Sequence, residues 1–244
     1  MPPRNIDNLE EPPMEECHAY LLLDGSASMK NPESSGDPKN IAVAKMVQGL
    51  INEFHDDAAI ENTLLTIICW DSNKIDDVRL LEYDVKQKNH YYENFNPTSV
   101  KSDDERLKLW DPLEKNQHGG GTPTGRALNF ARKMAEDWVK NAQGTVSRRA
   151  VIYLLTDGQT YPEHESNGLD QKALITKFNE DNIAKGVVRL LTVGYFQKPE
   201  GADTQEDAAR KVLRELPLNP AAYKETKNAK DIAQYVIITI SIPV

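Results

Sequence analysis

From residue 17 onward the chain alternates between short apolar runs and polar stretches whose hydrophobic residues recur every three to four positions. The runs at 19–23, 64–70, 78–83, 150–156, 187–193 and 222–225 predict strands, and most are strongly apolar. A first helix is predicted with Asp37 as N-cap and Pro38 in its first position, carrying Ile41, Ala44, Val47 and Ile51 on one face. A second starts near Thr124, itself read as an N-cap, and repeats Leu128, Ala131, Ala135 and Trp138; others are predicted over 171–183, 204–213 and 229–238. Strands alternating with helices give an α/β class: a Rossmann-like, open, mostly parallel central sheet with helices on both faces. Residues 71–121 break the pattern. They are polar, rich in Asn, Asp and Lys, and carry Tyr91, Tyr92 and Phe95, which suits an insertion, a lid or a partner surface.

Composition narrows this picture. Residues 1–16 set Arg4 against Asp7, Glu10, Glu11, Glu15 and Glu16 among four prolines, which predicts a flexible acidic tail ahead of one domain over 17–244. The full 244 residues suit one large α/β domain, since single domains often reach roughly 200 to 250 residues. With 38 acidic against 29 basic residues the formal charge is −9, the wrong sign for affinity built on phosphate neutralisation, so no nucleic-acid partner is expected. Cys17 and Cys69 stand in or beside apolar runs and read as buried thiols. The first residues hold no apolar stretch of the kind a secretory leader needs. The apolar tract at 235–244 is about half of the roughly 20 residues a membrane helix requires. The expectation is a cytoplasmic chain with no membrane partner.

Three loops carry candidate chemistry. The strand 19–23 ends in Asp24-Gly25-Ser26-Ala27-Ser28, whose three oxygen-bearing side chains come at alternate positions. Gly119-Gly120-Gly121-Thr122-Pro123 places Thr122 just ahead of a helix, and the strand 150–156 ends in Asp157-Gly158. Each lies at the carboxyl edge of the predicted sheet, where open α/β folds bind ligands. Together they offer hard oxygen donors without sulfur or imidazole, a set suited to Mg²⁺ or Mn²⁺, and to Ca²⁺ in a looser cavity.

On these residues the sequence resembles the von Willebrand factor A (vWA) family, whose metal-ion-dependent adhesion site (MIDAS) reads D-x-S-x-S, then a Thr in a GGT-like loop, then a strand-ending Asp. Asp24, Ser26, Ser28, Thr122 and Asp157 match those positions in order. The resemblance implies that Ser26 and Ser28 coordinate a metal directly, Thr122 directly or through water, and Asp24 and Asp157 mostly through water. It also implies an open position taken by an Asp or Glu of a protein partner, and switching through the last helix, here around Asp231 to Ile238. Two carboxylates just neutralise a divalent ion while alcohols add no charge, so such an ion stays electrophilic toward an outside carboxylate.

Rival chemistries lack parts. The glycine spacing at 120–125 is followed by Arg126-Ala127 instead of the Lys-Ser/Thr of a phosphate-binding loop. Asp24 has Ser26 where an aspartyl-phosphate enzyme has its second acid, and Ser26 lacks the G-x-S-x-G context of a hydrolase nucleophile. His18, His55, His90, His118 and His164 form no metal-binding pair, although His118, Tyr161, Glu163 and His164 lie in loops near the site. The expectation is therefore a non-enzymatic, metal-dependent interaction module, with loops 30–37, 91–118 and 159–168 choosing the partner. Its size is similar to that of tellurite-resistance-associated and chaperone-coupled vWA proteins, which implies scaffolding in a stress or assembly system. The alternatives are a metal-dependent phosphoester-handling enzyme and a fragment of an extracellular adhesin.

Overall fold

The computed structural model describes residues 15–33, 36–56, 63–70, 79–80, 82–84, 89–91, 121–158, 160–161 and 166–241. In chain order the elements are β1 (Glu15–Asp24), a 3₁₀ turn (Ala27–Lys30), α1 (Lys39–Asp56), β2 (Thr63–Trp70), β3 (Arg79–Leu80), β4 (Glu82–Asp84), β5 (Asn89–Tyr91), α2 (Thr124–Lys140) and β6 (Ser147–Thr156). They continue with α3 (Leu169–Asn182), β7 (Gly186–Tyr195), α4 (Thr204–Glu215), a second 3₁₀ turn (Pro220–Ala222), β8 (Tyr223–Thr226) and α5 (Ala229–Ser241). The main sheet has the order β3-β2-β1-β6-β7-β8. Its strands β2, β1, β6, β7 and β8 run parallel, and β3 pairs antiparallel on the edge. This is the open, mostly parallel α/β sheet that the alternating pattern predicts.

The two faces of the sheet explain why its strands are apolar at nearly every position. In β1, Ala19, Leu21 and Leu23 pack with α1 and α5, while Tyr20 and Leu22 pack on the other face with α2, α3 and α4. A strand covered on both sides has no solvent face to mark with polar residues. Leu22 is fully buried, and its truncation to Ala falls in the class that costs about 2–5 kcal/mol.

Several boundaries differ from expectation. β1 begins at Glu15, inside the predicted tail, because Glu16 and Glu15 pair with Arg148 (2.8 Å) and Arg149 (3.3 Å) on β6. The run 78–83 is not one strand: β3 joins the sheet edge, whereas β4 pairs with β5 in a separate ladder. Arg79 and Glu82 distinguish that run from the uninterrupted central strands. Helix α1 starts at Lys39, one residue later than Pro38, whose carbonyl accepts from Ala42 N at 3.0 Å. Asp37 does not cap it. Pro32 bridges to Pro38, Asp37 O takes the bond from Glu33 N (2.8 Å), and the Asp37 carboxylate pairs with Lys45 at 2.5 Å. Helix α5 runs on to Ser241, and its Ile238 is exposed while Val236 and Ile240 are buried, so Ile238 is not a packing residue.

From β1 the chain passes through α1 to β2 on one side; from β6 it passes through α3 to β7 on the other. The carboxyl ends of β1 and β6 therefore flank a topological switch point, the crevice where such sheets place ligands.

Candidate functional site

At the end of β1, Gly25 N donates to Trp70 O of β2 (2.8 Å), and Ser26 N donates to Asp24 Oδ1 (2.8 Å). This Asx-type turn curls the loop so that Ser26 Oγ and Ser28 Oγ stand 3.0 Å apart. Ser28 Oγ donates to Asp157 Oδ1 at 2.6 Å, joining the loop to the residue after β6. Thr122 arrives from the segment before α2. Its N–H donates to Tyr161 O (2.9 Å) and its carbonyl accepts from Tyr161 N (3.0 Å), which pins it to the loop after Asp157. A Cβ on Gly158 would lie 3.7 Å from both Ser28 Oγ and Thr122 Oγ1, so the two hydroxyls flank that glycine. The five residues singled out by the sequence thus meet at one end of the sheet.

Asp24 sits behind the hydroxyls. Its Oδ2 accepts from Thr156 Oγ1 at 2.5 Å, a bond between the ends of β1 and β6. Burial, and next the charge of Asp157, push the Asp24 carboxyl up to about 7, against the pull of the bonds from Thr156 and Ser26.

The sequence reading missed Lys39. It is buried at the start of α1, and its Nζ lies 2.6 Å from Asp157 Oδ2. An ammonium at a helix N-terminus opposes the helix dipole, and that placement was the available signal that Lys39 needs a counter-ion. Thr156 was missed as well, since a threonine ending a strand carries no motif. Thr124 is the first residue of α2, with Pro123 as N-cap. Its hydroxyl does not cap the helix: it accepts from Thr160 Oγ1 (3.0 Å) and so holds the same loop that Thr122 does.

Over this cluster opens a cleft of about 680 Å³. Asn31 and Pro32 line it from the predicted loop 30–37, and Thr160 and the exposed Tyr161 from the loop 159–168. Its far rim is one the sequence did not indicate: Gln197 and Lys198 after β7, and Asp203, Gln205 and Glu206 at the start of α4. There Asp203 caps α4, accepting from Gln205 N and Glu206 N, and pairs with Lys198 at 2.6 Å. The expected contributions of 92–118, His118, Glu163 and His164 lie outside the described residues. His18 is a buried core residue remote from the motif, bonded to Thr66 and Tyr20.

The donor set can be tested against a small hard cation. Among the described residues no group of three or more His, Cys, Asp or Glu converges, so a cation in this cleft would rest largely on alcohols. In octahedral Mg²⁺ coordination at about 2.1 Å, neighbouring oxygens lie about 3.0 Å apart. Ser26 Oγ and Ser28 Oγ, at 3.0 Å, have that spacing before any ion is added, and Asp157 and Thr122 border the same point. The residues fit the group.

The model of the von Willebrand factor type A domain matches residues 19–236. A search of curated proteins gave no match. Among solved structures the chain is similar to the pilus adhesin SpaC from Lactobacillus rhamnosus GG, with a TM-score of 0.62 at 13% identity, over 93% of this chain and 30% of that one. It is also similar to proximal thread matrix protein 1 from the mussel byssus, with a TM-score of 0.54 at 11% identity, over 95% of this chain and 49% of that one. A further structure of the mussel protein, described with a zinc-occupied MIDAS motif, aligns with a TM-score of 0.52 at 13% identity, over 93% and 46%. The chain spans less than half the length of these neighbours, and the likeness is one of fold. With a family model covering most of its length and the sheet topology to match, the chain belongs to the von Willebrand factor type A domain family.

Proposed function

We propose that the cluster of Asp24, Ser26, Ser28, Thr122 and Asp157 is a MIDAS that binds a divalent cation, Mg²⁺ or Mn²⁺, and through it an acidic side chain of a partner protein. The observation that carries this reading is the pair of serine hydroxyls 3.0 Å apart, with Asp157 held 2.6 Å from one of them, on the floor of an open cleft. When bound, the ion supplies a Lewis-acidic position for an incoming carboxylate. The chain's own residues do the rest. Ser26 and Ser28 present uncharged donors, Asp24 supplies charge from behind, and the Tyr161–Thr122 backbone pairing holds the third hydroxyl in place.

Binding is favoured over catalysis because the carboxylates that line the cleft among the described residues are already engaged, Asp157 by Lys39 and Ser28, Asp203 by Lys198 and Glu206 by the Lys198 N–H. The adhesive and matrix roles named for the structural neighbours agree with this reading. Mn²⁺ titration of wild type and Ser26→Ala tests it: the wild type binds one ion and the variant loses most of that affinity. Equal binding by both would refute the assignment. Mg²⁺-dependent hydrolysis of p-nitrophenyl phosphate, abolished by Asp24→Ala, would refute the non-enzymatic reading.

A further inference from the structure

The floor of the cleft contains a built-in positive charge. Lys39 is 4% exposed, and its ammonium lies 2.6 Å from Asp157 Oδ2, while Ser28 Oγ donates to the other oxygen, Oδ1, at 2.6 Å. One carboxylate therefore faces two ways, toward a buried cation on one side and toward the hydroxyl cluster on the other. Desolvation and the dipole of α1 both disfavour an ammonium in this position, so its pairing with Asp157 is what holds it there. The Tyr195 ring lies 5.9 Å from Nζ.

We propose that Lys39 is an internal counter-charge that weakens the site for a bare divalent cation and makes retention of the cation depend on an anionic ligand bound with it. This rests on the metal-site reading above. Asp24 and Asp157 alone would balance a divalent ion; with the Lys39 ammonium added, the assembly carries one surplus positive charge. Charges interact far more strongly on a buried floor than in water, and that surplus is relieved when a carboxylate enters the cleft. Ion and carboxylate then strengthen each other's binding by the same factor, as linkage requires. Without Lys39 the same donors neutralise the ion unaided, and the dependence on an outside anion falls.

The test follows Mn²⁺ binding to the whole chain by the loss of the free-ion electron paramagnetic resonance signal, with and without acetate as the carboxylate probe. Wild type is expected to bind Mn²⁺ weakly and to gain several-fold when acetate is present. Lys39→Met is expected to bind Mn²⁺ at least tenfold more tightly than wild type and to lose most of the acetate effect, whereas Lys39→Arg, which keeps the charge, stays near wild type. Equal Mn²⁺ affinities for wild type and Lys39→Met would overturn the role of Lys39 and leave the metal site standing. Absence of Mn²⁺ binding in both would overturn the two readings together. A measurement on the wild type guards against a variant that does not fold: the ¹⁵Nζ resonance of Lys39 should shift as Mg²⁺ is added, and a resonance that stays put at saturating Mg²⁺ would also overturn the proposal.

Discussion

Acid should weaken this protein through His18, and by an amount the structure allows to be worked out. His18 is fully buried on β1, with Nε2 2.8 Å from Thr66 Oγ1, Nδ1 2.9 Å from the Tyr20 hydroxyl, and its ring stacked 4.0 Å from that of Tyr20. Burial first, and the nearby Arg148 guanidinium second, press its basicity down from 6.5 to about 3. The unfolded chain therefore takes up a proton near pH 6.5 that the folded chain refuses until about pH 3. The stability associated with neutral His18 is complete above the unfolded value and is lost as pH falls between the two. Between pH 7 and pH 5 the linkage relation gives a loss of about 2 kcal/mol from this one group. Urea denaturation at the two pH values reads it, with His18→Gln as the reference that cannot titrate. The wild-type curve should fall by about 2 kcal/mol more than that of the variant over this interval, at unchanged denaturant slope. Parallel pH dependences would show that the imidazole is accessible to protons in the fold, and the reasoning would fail.

Two further outcomes follow from the site. Because Asp24 holds its proton up to about pH 7, a cation that needs its charge must displace that proton, so Mn²⁺ affinity should rise about tenfold from pH 6 to pH 8 and level off above; titration at pH 6, 7 and 8 checks this, and a flat profile refutes it. Gly125 N donates to Ser166 O at 2.8 Å, and a Cβ at 125 would come within 2.6 Å of both Ser166 Cβ and Ser166 O. Gly125→Ala should therefore cost about 1–3 kcal/mol of stability by overpacking, and a change below about 0.5 kcal/mol in urea denaturation would show that the loop yields freely.

The central sheet was legible because burial on both faces leaves an unmistakable mark. Leu21-Leu22-Leu23 and Ile152-Tyr153-Leu154-Leu155 have no polar position to break the run, and each side chain lies in one core or the other. The weaker signals failed where local and tertiary demands diverge. Asp37-Pro38 has the composition of a helix start, but the pairing of Pro32 with Pro38 claims those residues for the preceding loop and delays α1 by one position. Thr124 has the composition of a cap, yet its hydroxyl bonds with the loop at Thr160. Gly125 falls in the first turn of the helix predicted to start near Thr124, and nothing local announces that Ser166 passes against it.

The candidate site divides along the same line. Its oxygen donors could be read because D-x-S-x-S compresses three of them into one turn, and a local turn is the scale at which sequence and geometry coincide. Its charge balance could not. Asp24 and Asp157, counted alone, imply a site neutral toward a divalent ion, whereas Lys39 pairs with Asp157 across 118 positions of sequence and changes that sum by one unit. The rim at 197–206 is equally remote from the motif, brought over the cleft only because β7 lies next to β6 in the sheet. Topology therefore decides which charges and loops surround a donor set that local sequence supplies. On the proposed reading, that division would give ion binding to the turn after β1, and the dependence of the ion on a partner to residues such as Lys39 that only the folded sheet brings to it.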